Sequence, residues 1–171
     1  MLKEILIFLQ IEIPDNLCAN ISCNEVDANI NILEYLKDGM ENPAIVDNYQ
    51  EDINDVMTIS HSKHIAIRYY ETDLNDDGME DLIVVIMSPF HSGSHGDDFD
   101  ILFNDGNAYL KNRMGYTFRL LNGASNNYVP FGKIYILQSK TNGYHDLEIF
   151  ADGIHFFLKY ENGAYQYVPI E

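Results

Sequence analysis

Three observations predict an α+β fold, with N-terminal helices followed by a curved antiparallel β meander. Residues 22–58 carry capping signals and apolar stripes at helical spacing. From residue 62 onward, strand-like runs alternate with Asn-Gly and Asp-Gly steps, which are strong hairpin markers. A length of 171 residues with 46% hydrophobic and 12% aromatic side chains supports one folded domain with its own core. Residues 1–60 are expected to form a mainly helical cover and 61–171 the meander.

The chain begins Met1-Leu-Lys-Glu-Ile-Leu-Ile-Phe-Leu-Gln-Ile-Glu-Ile-Pro14. Its apolar run, Ile5 to Leu9, follows a lysine as in a signal peptide. It is short, however, Glu4 and Glu12 flank it, and no small-x-small cleavage site follows clearly. A strand or short amphipathic segment covering the core is the expected role. Ser22-x-x-Glu25 then has the form of a capping box. Val26, Ile30, Leu33 and Leu36 fall on one helical face, and Gly39 is placed to end that helix. Asn42-Pro43 reads as an N-cap followed by proline at N1. Ile45, Tyr49, Ile53 and Val56 form a second core-facing stripe.

In the second part, His64–Tyr70 and Leu82–Met87 are rich in β-branched and aromatic residues and read as strands. Turn signals follow at Asn75-Asp-Asp-Gly78, Asp105-Gly106, Asn122-Gly123, Asn142-Gly143, Asp152-Gly153 and Asn162-Gly163. They divide the chain into hairpins: Phe99–Phe103 with Ala108–Lys111, His145–Phe150 with Ile154–Tyr160, and then Ala164–Ile170. A faint repeat runs through them. Asp77-Gly78-Met-Glu-Asp81-Leu82 recurs as Asn142-Gly143-Tyr-His-Asp146-Leu147. Gln138 and Lys140 stand where the second copy would need ligands, so it is expected to share shape and not metal binding. Two copies are too few to close a propeller, which needs about four blades.

The clearest chemistry lies between the first two strands. Asp73-Leu-Asn75-Asp-Asp77-Gly78-Met79-Glu-Asp81 sets oxygen-bearing side chains at positions 1, 3, 5 and 9 around a glycine at position 6. A hard cation takes six to eight oxygens, and a tight turn converges short carboxylates and a backbone carbonyl on it. The glycine tolerates the positive φ of a sharp turn. Asp73, Asn75, Asp77, Asp81 and the Met79 carbonyl are therefore the candidate ligands of one calcium ion. An EF-hand loop would have a glutamate at position 12, where this chain has Val84, so affinity is expected to be modest, about 10⁻⁴ M.

Strand, D-x-[DN]-x-D-G-x-x-D-[LIV], strand resembles the calcium hairpin of FG-GAP repeats in integrin-like propellers and many bacterial surface proteins. The resemblance implies the same five ligands. A wider likeness covers residues 64–170. Asp73–Val84, the Pro89-Phe90-His-Ser-Gly-Ser-His95-Gly96 loop and Thr141–Leu147 are similar to a group of small exported bacterial domains of uncharacterised function. In those relatives the middle loop often carries a cysteine pair, where this chain has His91 and His95 and no cysteine. That departure removes a disulfide-pinned loop from the expectation.

Other candidates are thinner. His91, His95, Asp97, Asp98 and Asp100 lie within one polar loop and offer ligands for a transition metal. His61-x-x-His64 precedes a strand, so its rings are expected to diverge. Cys18 and Cys23 leave two readings open, a short disulfide in an exported protein or two free thiols in a reducing compartment. No G-x-S-x-G elbow, catalytic cysteine signature or phosphate-binding glycine loop is present. A formal charge of −17, from 27 Asp and Glu against 10 Lys and Arg, disfavours nucleic acid and anionic membranes. No stretch reaches the ~20 apolar residues of a membrane span. The expected function is a non-enzymatic calcium-binding, β-rich binding or interaction protein. Its rivals are an acidic inhibitor or immunity-type protein that caps a basic partner, and a metal-dependent hydrolase using His91 and His95.

Overall fold

The run Leu82-Ile-Val-Val-Ile-Met87 offers no polar face, so a strand made from it needs apolar cover on both sides. That requirement organises the molecule. The computed structural model describes residues 30–59, 66–87, 97–118, 120–124 and 127–170, with the backbone alone at 113–118, 122–124 and 127–129. Strand β3 (Asp81–Met87) is the centre of a five-stranded sheet. Its neighbours follow in sequence order: β1 (Lys37–Asp38), β2 (Ala66–Thr72), β3, β4 (Asp97–Asn104) and β5 (Tyr109–Phe118). All neighbouring pairs are antiparallel.

Leu82, Val84 and Ile86 pack with Ile67, Tyr69 and Leu102 beneath two short helices. These are α1 (Pro43–Asn48) and α2 (Gln50–Ile59), which contribute Ile45, Tyr49, Ile53 and Val56. The Asn42 side chain caps Ala44 N–H and Pro43 opens α1, where its missing donor costs nothing. On the opposite face, Ile83 and Val85 pack with Phe99 and Ile101 against a second sheet. That sheet is the meander β8 (Lys133–Thr141), β9 (Tyr144–Ala151), β10 (Ile154–Glu161) and β11 (Ala164–Pro169). A two-stranded hairpin, β6 (Leu121–Ala124) with β7 (Asn127–Pro130), separates the two sheets along the chain.

The α+β expectation of N-terminal helices followed by one curved meander is therefore corrected. The described chain is mainly antiparallel β, in two packed sheets with one thin helical layer. Where the first helix was expected, Ile32–Glu34 make a single 3₁₀ turn. The Asn31 side chain explains the difference. It caps Leu33 N–H and also accepts from Ile134 N–H of β8, so a tertiary contact turns the chain into β1 after Leu36. Gly39 does not end a helix. It packs on β2, where an added Cβ would lie 2.9 Å from Ile67. The capping box at Ser22, Val26, Cys18, Cys23, His61 and His64 lie outside the described residues.

The hairpin signals fare differently from one another. Asn142-Gly143, Asp152-Gly153 and Asn162-Gly163 are two-residue turns with both residues at positive φ, the type I′ pattern. Asn122-Gly123 instead lies inside β6, opposite Val129 and Tyr128.

The helical layer is fixed to the sheet by a buried polar group as well as by packing. Tyr49 O–H donates to Asp100 Oδ2 at 2.9 Å. The Lys111 ammonium lies 3.5 Å above the Tyr49 ring centroid and 3.4 Å from Asp52. Tyr49→Phe keeps the ring and removes the hydroxyl donor to a buried carboxylate. It is expected to cost about 2 kcal/mol in urea unfolding, with a larger loss in hydrogen-exchange protection of α1 and α2 than of β9.

Candidate functional site

The segment from Asp73 to Glu80 joins β2 to β3 and folds around its own carboxylates. Asp73 Oδ1 accepts from Asn75 and Asp77 N–H, and its Oδ2 accepts from Gly78 N–H at 2.8 Å. Asn75 Oδ1 accepts from Asp77 N–H at 3.1 Å, and Asn75 Nδ2 donates to Asp77 Oδ2 at 2.8 Å. Asp77 Oδ1 accepts from Met79 N–H. Gly78 takes φ +84°, the conformation that the position requires of glycine. Three of the expected ligands, Asp73, Asn75 and Asp77, are thus turned into one loop.

Asp81 sits at its base and is buried, at 1% exposure. Its Oδ2 accepts from Leu74 N–H at 3.1 Å and its Oδ1 from Asn104 N–H at 2.9 Å. Burial pushes its carboxyl up to about 6, opposed by those two backbone donors and assisted by the charges of Asp77 and Asp73. Among the described residues, no group of three or more Asp, Glu, His or Cys is placed as a metal site. The donor set, carboxylates, an amide oxygen and a backbone carbonyl, is the hard-oxygen chemistry that calcium takes. The side-chain oxygens of Asp73, Asn75 and Asp77 accept from amide donors of the loop, and those of Asp81 from Leu74 and Asn104.

Residues that carry no ligand signal hold this loop in place. Leu74, the one apolar side chain between Asp73 and Gly78, is fully buried in the core between the two sheets. Its carbonyl accepts from His145 N–H of β9 at 2.7 Å. Asp76 takes φ +59° and reaches the second sheet, where it pairs with Lys140 and His145. Lys140, first, and then His145 hold the Asp76 carboxyl below the usual carboxylate range. The His145 ring spans from the Leu137 carbonyl at 2.6 Å to Asp76 at 3.2 Å, and Tyr165 O–H donates to the His145 carbonyl.

The repeated motif thus provides a docking partner. Asn142-Gly143 is a tight two-residue turn, unlike the broad loop 73–80, so the two copies differ in shape. They touch each other through Asp76, Leu74, Lys140 and His145. Leu74, apolar in a polar run, was the available sequence signal. Lys140 and His145 had none, because their partner lies far away along the chain.

Two cavities flank the loop. One, of ≈ 280 Å³, is polar and lined by Glu71, Asp73, Asp76, Glu80 and His145. The other, of ≈ 380 Å³, lies toward Asn75, Asp77, Asp105 and an aromatic group. His91 and His95 lie outside the described residues. Of the acids that follow them in the sequence, Asp97 accepts from Leu120 and Leu121 N–H and Asp100 from Tyr49 O–H. Asp97 and Asp100 are therefore engaged in structural contacts.

Leu74→Ala is expected to cost about 2–5 kcal/mol in urea unfolding, because it opens a void where the loop enters the core. The Asp81 shift predicts a pH dependence. Its folded pKa is raised above 3.8 to about 6. Its contribution is therefore fully present below about pH 4 and is lost as pH rises through about 6, on the order of 3 kcal/mol in all. In EGTA, the stability advantage of wild type over Asp81→Ala should shrink by that order between pH 4 and 7. Compared with known proteins, the chain matches no protein-family model, no curated protein and no solved structure.

Proposed function

We propose that this chain is a non-enzymatic calcium-binding β domain whose work is to bind another macromolecule. The observation that carries the reading is the inward turn of Asp73, Asn75 and Asp77 around Gly78, with Asp81 at the base of the same loop. With the Met79 carbonyl, these residues would hold the ion. Calcium would draw the four oxygen side chains together and relieve the repulsion of three carboxylates. The likeness of the loop to an FG-GAP calcium hairpin supports the same reading. The ion's role would be structural, because the loop carries Leu74 into the core and Asp76 to the second sheet.

A second reading, an acidic inhibitor that caps a basic partner, is favoured by the charge of −17. The crowding of Glu71, Asp73, Asp76 and Glu80 around one cavity also favours it. Such a charge steers association toward positive surfaces and makes capture steeply salt-sensitive.

Thermal unfolding in EGTA, calcium and magnesium tests the ion. With affinity near 10⁻⁴ M, about 10 mM calcium stabilises by about 2.7 kcal/mol, or roughly 5–10 °C in Tm for a chain of this size. Asp77→Ala should abolish that rise while leaving the EGTA midpoint within a few degrees of wild type. A midpoint indifferent to calcium, or an equal rise in Asp77→Ala, removes the calcium reading.

A further inference from the structure

We propose that the cavity beside the calcium-type loop receives a lysine or arginine side chain of a basic protein partner. The proposal rests on the partner-binding half of the reading above and does not require the ion. The cavity, of ≈ 380 Å³, is built by both sheets. Phe103 of β4, Tyr144 of β9 and Tyr160 of β10 form one aromatic wall. The Tyr144 and Tyr160 rings stack at 3.8 Å, and Phe103 meets them edge-on at 5.2 and 5.6 Å. Leu110 adds an aliphatic surface that is 54% exposed. Two carboxylates, Asp77 on the loop and Asp105 on the β4–β5 turn, stand in the remaining polar boundary among Asn75, Asn104 and Asn112.

An aromatic and aliphatic wall next to carboxylates is complementary to a side chain with an apolar stem and a cationic head. The stem packs along the wall, and the head is drawn by the ring quadrupoles and the carboxylates. Asp105 is the charge that remains available when Asp77 is committed to an ion. The amides of Ala108 and Asn107 hold its carboxyl below the usual carboxylate range. Lys111 also borders the cavity, but its ammonium is engaged on the far side with the Tyr49 ring, Asp52 and the Asn48 carbonyl. The charge of −17 selects a basic protein as the source of the side chain and disfavours a second copy of this chain.

The test is titration of the whole chain with a short lysine- and arginine-rich peptide. Aromatic NMR resonances and calorimetry report binding, in EGTA and in calcium, at about 0.15 M salt. An acetyl-lysine and citrulline version of the peptide serves as the control. The expected result is a shift of the Tyr144 and Tyr160 ring signals by the basic peptide only. Asp105→Asn keeps the oxygen that accepts from Asn107 and Ala108 N–H and removes the charge. It should weaken binding several-fold, and Leu110→Lys, which sets a cation at the mouth, roughly tenfold.

Equal affinity of wild type and both variants overturns the proposal. So do signals scattered over the acidic surface that vanish with salt, or a neutral peptide that binds as well. A calcium-indifferent midpoint alongside the ring shifts removes the ion reading and leaves this one standing. A calcium-dependent midpoint without ring shifts does the reverse.

Discussion

Strand β3 is apolar on both faces, and the remainder of the architecture answers to that. A strand of this kind at a sheet edge or under a single cover would leave one row of large aliphatic side chains in water. Burial of Leu82, Ile83, Val84, Val85 and Ile86 contributes about 1.5–3 kcal/mol for each side chain. Neither cover suffices alone. The helices are short and shield only the row at Leu82, Val84 and Ile86, and the second meander shields the row at Ile83 and Val85. The loop that precedes β3 therefore adjoins a strand buried on both faces, beside both layers of the sandwich.

That position accounts for the mixed character of the loop. Its polar residues close on themselves through backbone amides, while Leu74 and Asp76 leave the turn to engage the second sheet. Asp81 serves both roles, because it accepts from Leu74 within the hairpin and from Asn104 across the next strand. An acidic loop packed on an acidic protein needs local cations. Lys140 supplies one at Asp76, beside the His145 ring, and Lys37 does so at Glu71.

Much of the local structure was legible in the sequence. The Asn42-Pro43 start, the stripe Ile45, Tyr49, Ile53 and Val56, and the Asn-Gly and Asp-Gly turns of the second sheet depend on neighbouring residues, and periodicity reports them. The division into two sheets was signalled more quietly, by a strand that fails to alternate. What misled was the apolar spacing of Leu33 and Leu36. Its helical period competes with a hydrogen bond that Asn31 accepts from a strand about a hundred residues further on, which no local pattern encodes. In the site, the inward-turning oxygens were readable from their spacing. Their support was not, since Asn104 reaches the loop from the neighbouring strand and His145 and Lys140 from the other sheet.

The strand order carries a kinetic consequence. Each sheet is ordered as the chain is ordered, β1 to β5 and β8 to β11, without a crossover. Apart from β1 with β2, which the two helices join, each pairing within the two sheets links strands that follow one another closely along the chain, and the type I′ turns of the second sheet hold their strands at little entropic cost. Each sheet can thus zip from its hairpins, unlike sandwiches whose sheets exchange strands and fold slowly through distant pairings. The long-range event is the docking of one finished sheet on the other. The contacts made at that step include Leu74 and Asp76, so the acidic loop acquires its final shape late and reports whether the two halves have joined.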